Sequence, residues 1–284
     1  MAFLEDLKYK YQRLNGLDKL IVINTAIFVV VLLFKPFLLP VLKWLRLEST
    51  FSETIIQPWS ILTYAFLHYD FLHLLFNMLW LYFIGRMFLN LFNIKTALNV
   101  YFLGALSGGV LFLLGYNLFP QVFDTSAYLI GASAAVRALL IFLCTYMPNQ
   151  EVRFFTFNIK LYYIGIVIVV IDLIGIMGNN AGGNLAHLGG ALLGFVYAKQ
   201  LAQGTDIGAG FGRLMDTVSG WFSSKKTHQF KTVYKNKSKD TLAQKEFKDL
   251  NKQKQIDTIL DKISKSGYDS LTKAEKDFLF RAGK

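Results

Sequence analysis

Three absences narrow the field before any motif is considered. The 284-residue chain carries a single cysteine, Cys144, so no internal disulfide can form and a cysteine-rich zinc site is excluded. Charge is scarce as well: 17% of the residues are Asp, Glu, Lys or Arg and 54% are hydrophobic, against about 25% and about 45–50% in soluble domains. That balance belongs to a membrane protein, and the same apolar content excludes a disordered chain. A cleavable leader is the third absence. Residues 1–19 mix Glu5, Asp6, Lys8, Lys10, Arg13 and Asp18 in the manner of a short amphipathic helix. The apolar run Leu20–Phe34 then ends in charged and aromatic residues without a small-residue cleavage site, so it is expected to be retained.

The net charge of +11 is unevenly spread. Residues 1–198 hold 12 Lys/Arg and 9 Asp/Glu, whereas residues 199–284 hold 18 and 10. Most of the excess therefore lies in a polar tail behind a long hydrophobic region. This fits a segment beside an anionic membrane surface and gives no reason to expect a nucleic-acid partner.

A membrane-crossing helix needs roughly 17–25 mostly apolar residues. Stretches that fit run from about Leu20–Leu39, Phe71–Leu89, Thr96–Tyr116, Gly131–Met147, Leu161–Met177 and Ala186–Leu201. The last three carry Ser133, Arg137, Asp172 and His187, polar groups that are costly in lipid and normally face the bundle interior. Lys and Arg favour the cytoplasmic side. Basic residues precede the first stretch, flank the second and fourth connections and fill the tail, whereas Asn117–Ile130 and Gly178–Asn184 have none. The exception is the first connection, which carries Lys35, Lys43 and Arg46 and is placed outside. The expectation is six spans, both termini cytoplasmic, in a multi-pass protein of the cell membrane. The first connection, about Pro40–Asp70, is long enough to be structured, and its Trp44 and Trp59 suit the membrane interface.

In this topology the second, fourth and sixth spans run in the same direction. His73, Asn77, Ser133 and His187 each fall within the first two turns of their span, which predicts that they converge at one depth. His73 and Asn77, four residues apart, share one helix face. Gly190 and Gly194 lie beyond His187 in a stripe that lets a neighbouring helix approach. A hydroxyl beside a base, with donors nearby, is what nucleophilic hydrolysis requires.

From about Pro58 to Ala198 the chain resembles the rhomboid family of intramembrane serine proteases. The motifs are His68-x4-His73-x3-Asn77 after Pro58-Trp59, Gly131-Ala132-Ser133-Ala134 opening the fourth span, and Ala186-His187-x2-Gly190-x3-Gly194 in the sixth. The resemblance implies an all-α bundle of six transmembrane helices. It also implies a Ser133–His187 dyad, an oxyanion site of His73, Asn77 and the Ser133 backbone N–H, no acidic third member, and no metal or organic cofactor. Single-span transmembrane proteins would be the substrates, within the lipid bilayer. The alternative is a catalytically inactive relative that binds membrane helices.

Three positions depart from the family pattern. Ala134 stands where the family has glycine, and Arg137 replaces an aromatic residue one turn after Ser133. A cation there opposes protonation of His187 unless it is neutralised, and Asp172 is at a suitable depth to pair with it. Ser60 also replaces the arginine that often follows the loop tryptophan. His68, at the boundary of the second span, is expected to meet water.

The division expected is an N-terminal segment 1–19, the membrane domain 20–201, a basic polar linker 202–255 and a helical hairpin 256–284. Ile256, Ile259, Leu260 and Ile263 follow an amphipathic helical spacing, Gly267 is a stop, and Thr272–Glu275 forms a capping box. Such a small cytoplasmic hairpin suits docking of a partner.

Overall fold

The computed structural model describes residues 2–123, 127–154, 156–222 and 237–282. The chain divides into two units, Met1–Ser223 and Ser224–Lys284. The first opens with α1 (Ala2–Arg13) and α2 (Gly16–Leu45). Asn15 caps α2 by accepting the Asp18 backbone N–H at 3.0 Å, so this helix begins earlier than hydropathy alone suggests. It also continues past Pro36 and Pro40, with one non-helical residue, Phe34, in the turn before Pro36. Proline removes one backbone donor and crowds the preceding turn, which bends a long helix without ending it.

The first connection is built from β1 (Leu47–Glu48), α3 (Phe51–Ile56), α4 (Ser60–Thr63) and the 3-10 turn Tyr64–Phe66. Trp59 anchors it, donating Nε1–H to the Trp44 carbonyl at 2.8 Å and stacking on that ring. Next come α5 (Phe71–Leu89), α6 (Ile94–Leu118), β2 (Tyr128–Leu129), α7 (Ser133–Tyr146), β3 (Glu151–Phe154), β4 (Phe157–Lys160), α8 (Leu161–Gly175), α9 (Ala181–Ala202) and α10 (Ala209–Phe222). The molecule is mostly helical, and among the described residues the all-α expectation is corrected by two short antiparallel pairs. β1 pairs with β2, Leu47 opposite Leu129 and Glu48 opposite Tyr128, and β3 pairs with β4.

α2, α5 and α6 are long and apolar enough to cross a membrane, and α7 and α8 are shorter apolar helices. α7 is the centre, packed against α5, α6, α8 and α9, and all but four of its 14 residues are buried. α6, α7 and α9 approach closely through glycine. A methyl at Gly190 would lie 2.0 Å from the Ala134 carbonyl oxygen, and one at Gly194 would lie 2.2 Å from that of Ala138. α8 is the reverse of a soluble helix: Ile166, Val167, Val170, Ile171, Leu173 and Ile174 are exposed, while Asp172 is buried. Apolar outside and polar inside is the arrangement that a lipid solvent favours.

The stretch 202–255, expected as a polar linker, contains α10 and the first part of α11 (Lys237–Ser266). α10 is fastened to the first unit by the Lys95–Asp216 ion pair at 2.8 Å. In the second unit, α11 stops at Gly267, whose φ is +77° and whose N–H reaches the Ile263 carbonyl at 2.9 Å. α12 (Lys273–Ala282) follows. Its capping box is reciprocal: the Thr272 N–H donates to Glu275 at 2.7 Å, and the Glu275 N–H donates to the Thr272 hydroxyl at 3.3 Å.

Candidate active site

Ser133 is the first residue of α7, and the segment before it is pinned from several sides. β1 holds residues 128–129, the Ser49 N–H donates to the Ala127 carbonyl at 3.1 Å, and the Gly131 N–H donates to the Tyr64 carbonyl at 3.0 Å. His68 supplies the last tie, its Nε2 accepting the Ala132 N–H at 3.3 Å. His68 is fully buried, so the water-facing position expected for it is corrected. The 3-10 turn before it folds it inward beneath the segment that leads to Ser133. Gly131 lies outside the helix with φ +107°, in the left-handed region, and a methyl there would stand 2.6 Å from the His73 ring. Both the conformation and the close approach require glycine.

His187 reaches Ser133 from α9, with Nε2 and Oγ 2.7 Å apart. On its other side Nδ1 is 2.8 Å from Oδ1 of Asp172. Asp172 in turn accepts two hydrogen bonds from Arg137, Nε to Oδ2 at 2.9 Å and Nη2 to Oδ1 at 3.2 Å. The sequence suggested the Arg137–Asp172 pair. It gave no sign that the same carboxylate touches the imidazole, and the expectation of no acidic neighbour for His187 is corrected. A signal existed in Asp172 as the sole carboxylate of the fifth span.

His73 and Asn77 line the same cavity of 570 Å³ as Ser133, Arg137 and His187. Asp70 caps α5 by accepting the His73 N–H at 2.9 Å. Asn77 donates one amide hydrogen to the His73 carbonyl at 2.9 Å, and an amide carries a second. Asn180 and Tyr128, the latter not singled out from the sequence, also face the cavity. α9 starts at Ala181, earlier than the span Ala186–Leu201 expected from hydropathy, so Ala181–Gly183 open the helix. The Ala134 methyl points towards α6, where a methyl at Gly108 would meet it at 2.5 Å. It is Gly108 that accommodates Ala134, and α9 does not need to yield.

Capping distinguishes the helices. Side chains of Asn15, Asp70 and Asn93 cap α2, α5 and α6, whereas α7, like α8 and α9, has no side-chain cap bond at its start. First-turn N–H groups have no intrahelical acceptor, so this end of α7 offers donors beside the hydroxyl. Among the described residues, no group of three or more His, Cys, Asp or Glu is arranged to hold a metal ion.

The apolar helices of a membrane protein thus bring a serine and a histidine into hydrogen-bonding contact beside a cavity. A family model described as "Rhomboid domain" matches residues 56–204, and the chain belongs to the rhomboid family. A second model, "Family of unknown function (DUF6576)", matches residues 244–282. RHOMBOID-like protein 12, mitochondrial, of Arabidopsis thaliana is 28% identical over 157 residues, which cover 51% of this chain and 47% of the relative. The chain thus spans about half the length of that curated relative.

Proposed function

We propose that the protein is an intramembrane serine endopeptidase that cleaves single-span membrane proteins near the outer end of their helix. The observation that carries this is the 2.7 Å contact between Ser133 Oγ and His187 Nε2 at the wall of a cavity shared with His73 and Asn77. Ser133 attacks the scissile carbonyl while His187 takes its proton. The imidazolium then gives that proton to the departing amine, and a water attacks the acyl-enzyme by the reverse sequence. The oxyanion is stabilised by His73, the second Asn77 N–H and the uncapped first turn of α7. One such donor contributes about 100–1000-fold in rate.

The length of α7 supports a reaction below the membrane surface. Its 14 residues extend about 21 Å at 1.5 Å each, less than the roughly 30 Å hydrocarbon core, so a helix with its far end at one surface starts inside the bilayer. In this reading α2 and α5–α9 form six crossings in the cell membrane, both termini are cytoplasmic, and the hairpin of the tail docks a cytoplasmic partner. Catalysis uses no metal or organic cofactor. A substrate helix unwinds at helix-destabilising residues, with a small residue on the acyl side of the broken bond as the family resemblance implies.

Fluorophosphonate labelling of the purified full chain tests the reading. The wild type is expected to be labelled and to cleave a model single-span substrate, and Ser133→Ala and His187→Ala are expected to do neither. If labelling does not depend on Ser133 and cleavage is absent, the non-catalytic alternative replaces the protease.

A further inference from the structure

We propose that Asp172 is the positioning residue of the site: its carboxylate, held by Arg137, fixes the orientation and tautomer of His187. The inference rests on the protease reading and concerns a group for which a serine–histidine dyad has no role.

The polar chain is continuous across three helices. Arg137 of α7 grips Asp172 of α8 through two hydrogen bonds, and Asp172 contacts Nδ1 of His187 on α9, whose Nε2 meets Ser133. A guanidinium is a permanent cation, and a two-point grip on a carboxylate is the geometry that favours the ionised acid. An ionised carboxylate can only accept, so Nδ1 must carry the hydrogen. In the neutral ring the lone pair is then on Nε2, facing Ser133, as a general base requires. When the ring takes up the serine proton, the carboxylate already lies against its Nδ1 at 2.8 Å. Asp172 is 1% exposed, on a helix whose outward positions are largely apolar.

A purely architectural role for the carboxylate, neutralising Arg137, makes a different prediction, and paired removal separates the two. Replacing both members of a buried ion pair with apolar residues is often tolerated, whereas removing one leaves a buried charge. The full chain is reconstituted in liposomes, and kcat, KM and fluorophosphonate labelling rate are measured alongside thermal unfolding. Asp172→Asn is expected to lower kcat and labelling by up to about 10,000-fold, the loss seen when the equivalent contact is broken in a soluble serine protease, with KM little changed. Arg137→Leu/Asp172→Leu is expected to unfold near the wild-type temperature yet stay as slow as Asp172→Asn, and Asp172→Glu is expected to recover part of kcat. Wild-type kcat in the double variant or in Asp172→Asn would overturn the positioning role while leaving the protease intact. Absence of Ser133-dependent labelling in the wild type would overturn the protease reading, and this inference with it.

Discussion

Gly131 carries two constraints at one residue. Its φ of +107° costs a side-chain-bearing residue about 1–2 kcal/mol, and a methyl would enter the space of the His73 ring at 2.6 Å. Gly131→Ala is therefore expected to displace His73 and slow cleavage by about 100-fold or more, the value of one lost oxyanion donor, with a modest fall in unfolding temperature. Unchanged cleavage would remove His73 from the oxyanion site. Ala134 is the contrasting case. Its departure from glycine looks intrusive when the neighbour is assumed to be α9, but the methyl lies against Gly108 of α6, away from the serine–histidine contact.

At the scale of elements, the short strand pair β1–β2 and the buried His68 fasten the entry to α7 and so set where Ser133 stands. The long connection is thus part of the site's scaffold. Gly190 and Gly194 bring the α7 and α9 backbones close enough for one hydrogen bond to span them. In the second unit the hairpin depends on Glu275, whose carboxyl is drawn down to about 2 by the Lys262 ammonium and then by the Thr272 N–H and hydroxyl. A depressed carboxyl contributes stability that is complete above its ordinary value of 4.5 and is lost as the pH falls towards about 2. Hydrogen exchange of residues 256–282 in the full chain, corrected for intrinsic rates, is expected to lose protection across that window. Glu275→Gln is expected to flatten the response, and an equal response in that variant would exclude this carboxylate as its source.

For the whole molecule, the orientation argument makes a prediction independent of catalysis. Cys144 is buried, so Cys144→Ala gives a background free of native thiols. Met177, between α8 and α9, is 97% exposed, and Tyr268 of the hairpin is 54% exposed. On intact cells an impermeant maleimide is expected to label Met177→Cys at once and Tyr268→Cys only after permeabilisation. The opposite pattern would invert the assignment of the termini. The charge distribution carries this expectation, since the tail holds most of the basic excess and Gly178–Asn184 has no Lys or Arg.

Composition and spacing along the chain were enough to identify a membrane protein of apolar helices, to locate those helices to within about six residues, and to single out Ser133, His187, His73 and Asn77, which line one cavity. Each of those inferences depends on local chemistry: the cost of polar groups in lipid, helical periodicity, and distance from a helix start. The tertiary structure alone decided what each side chain faces. It turned Asp172 to the imidazole as well as to Arg137, buried His68 under the segment before Ser133, directed the Ala134 methyl to Gly108, and paired residues 47–48 with 128–129. These contacts join positions 15 or more residues apart, and their direction is set by the rotation and separation of packed helices, quantities that no local pattern encodes.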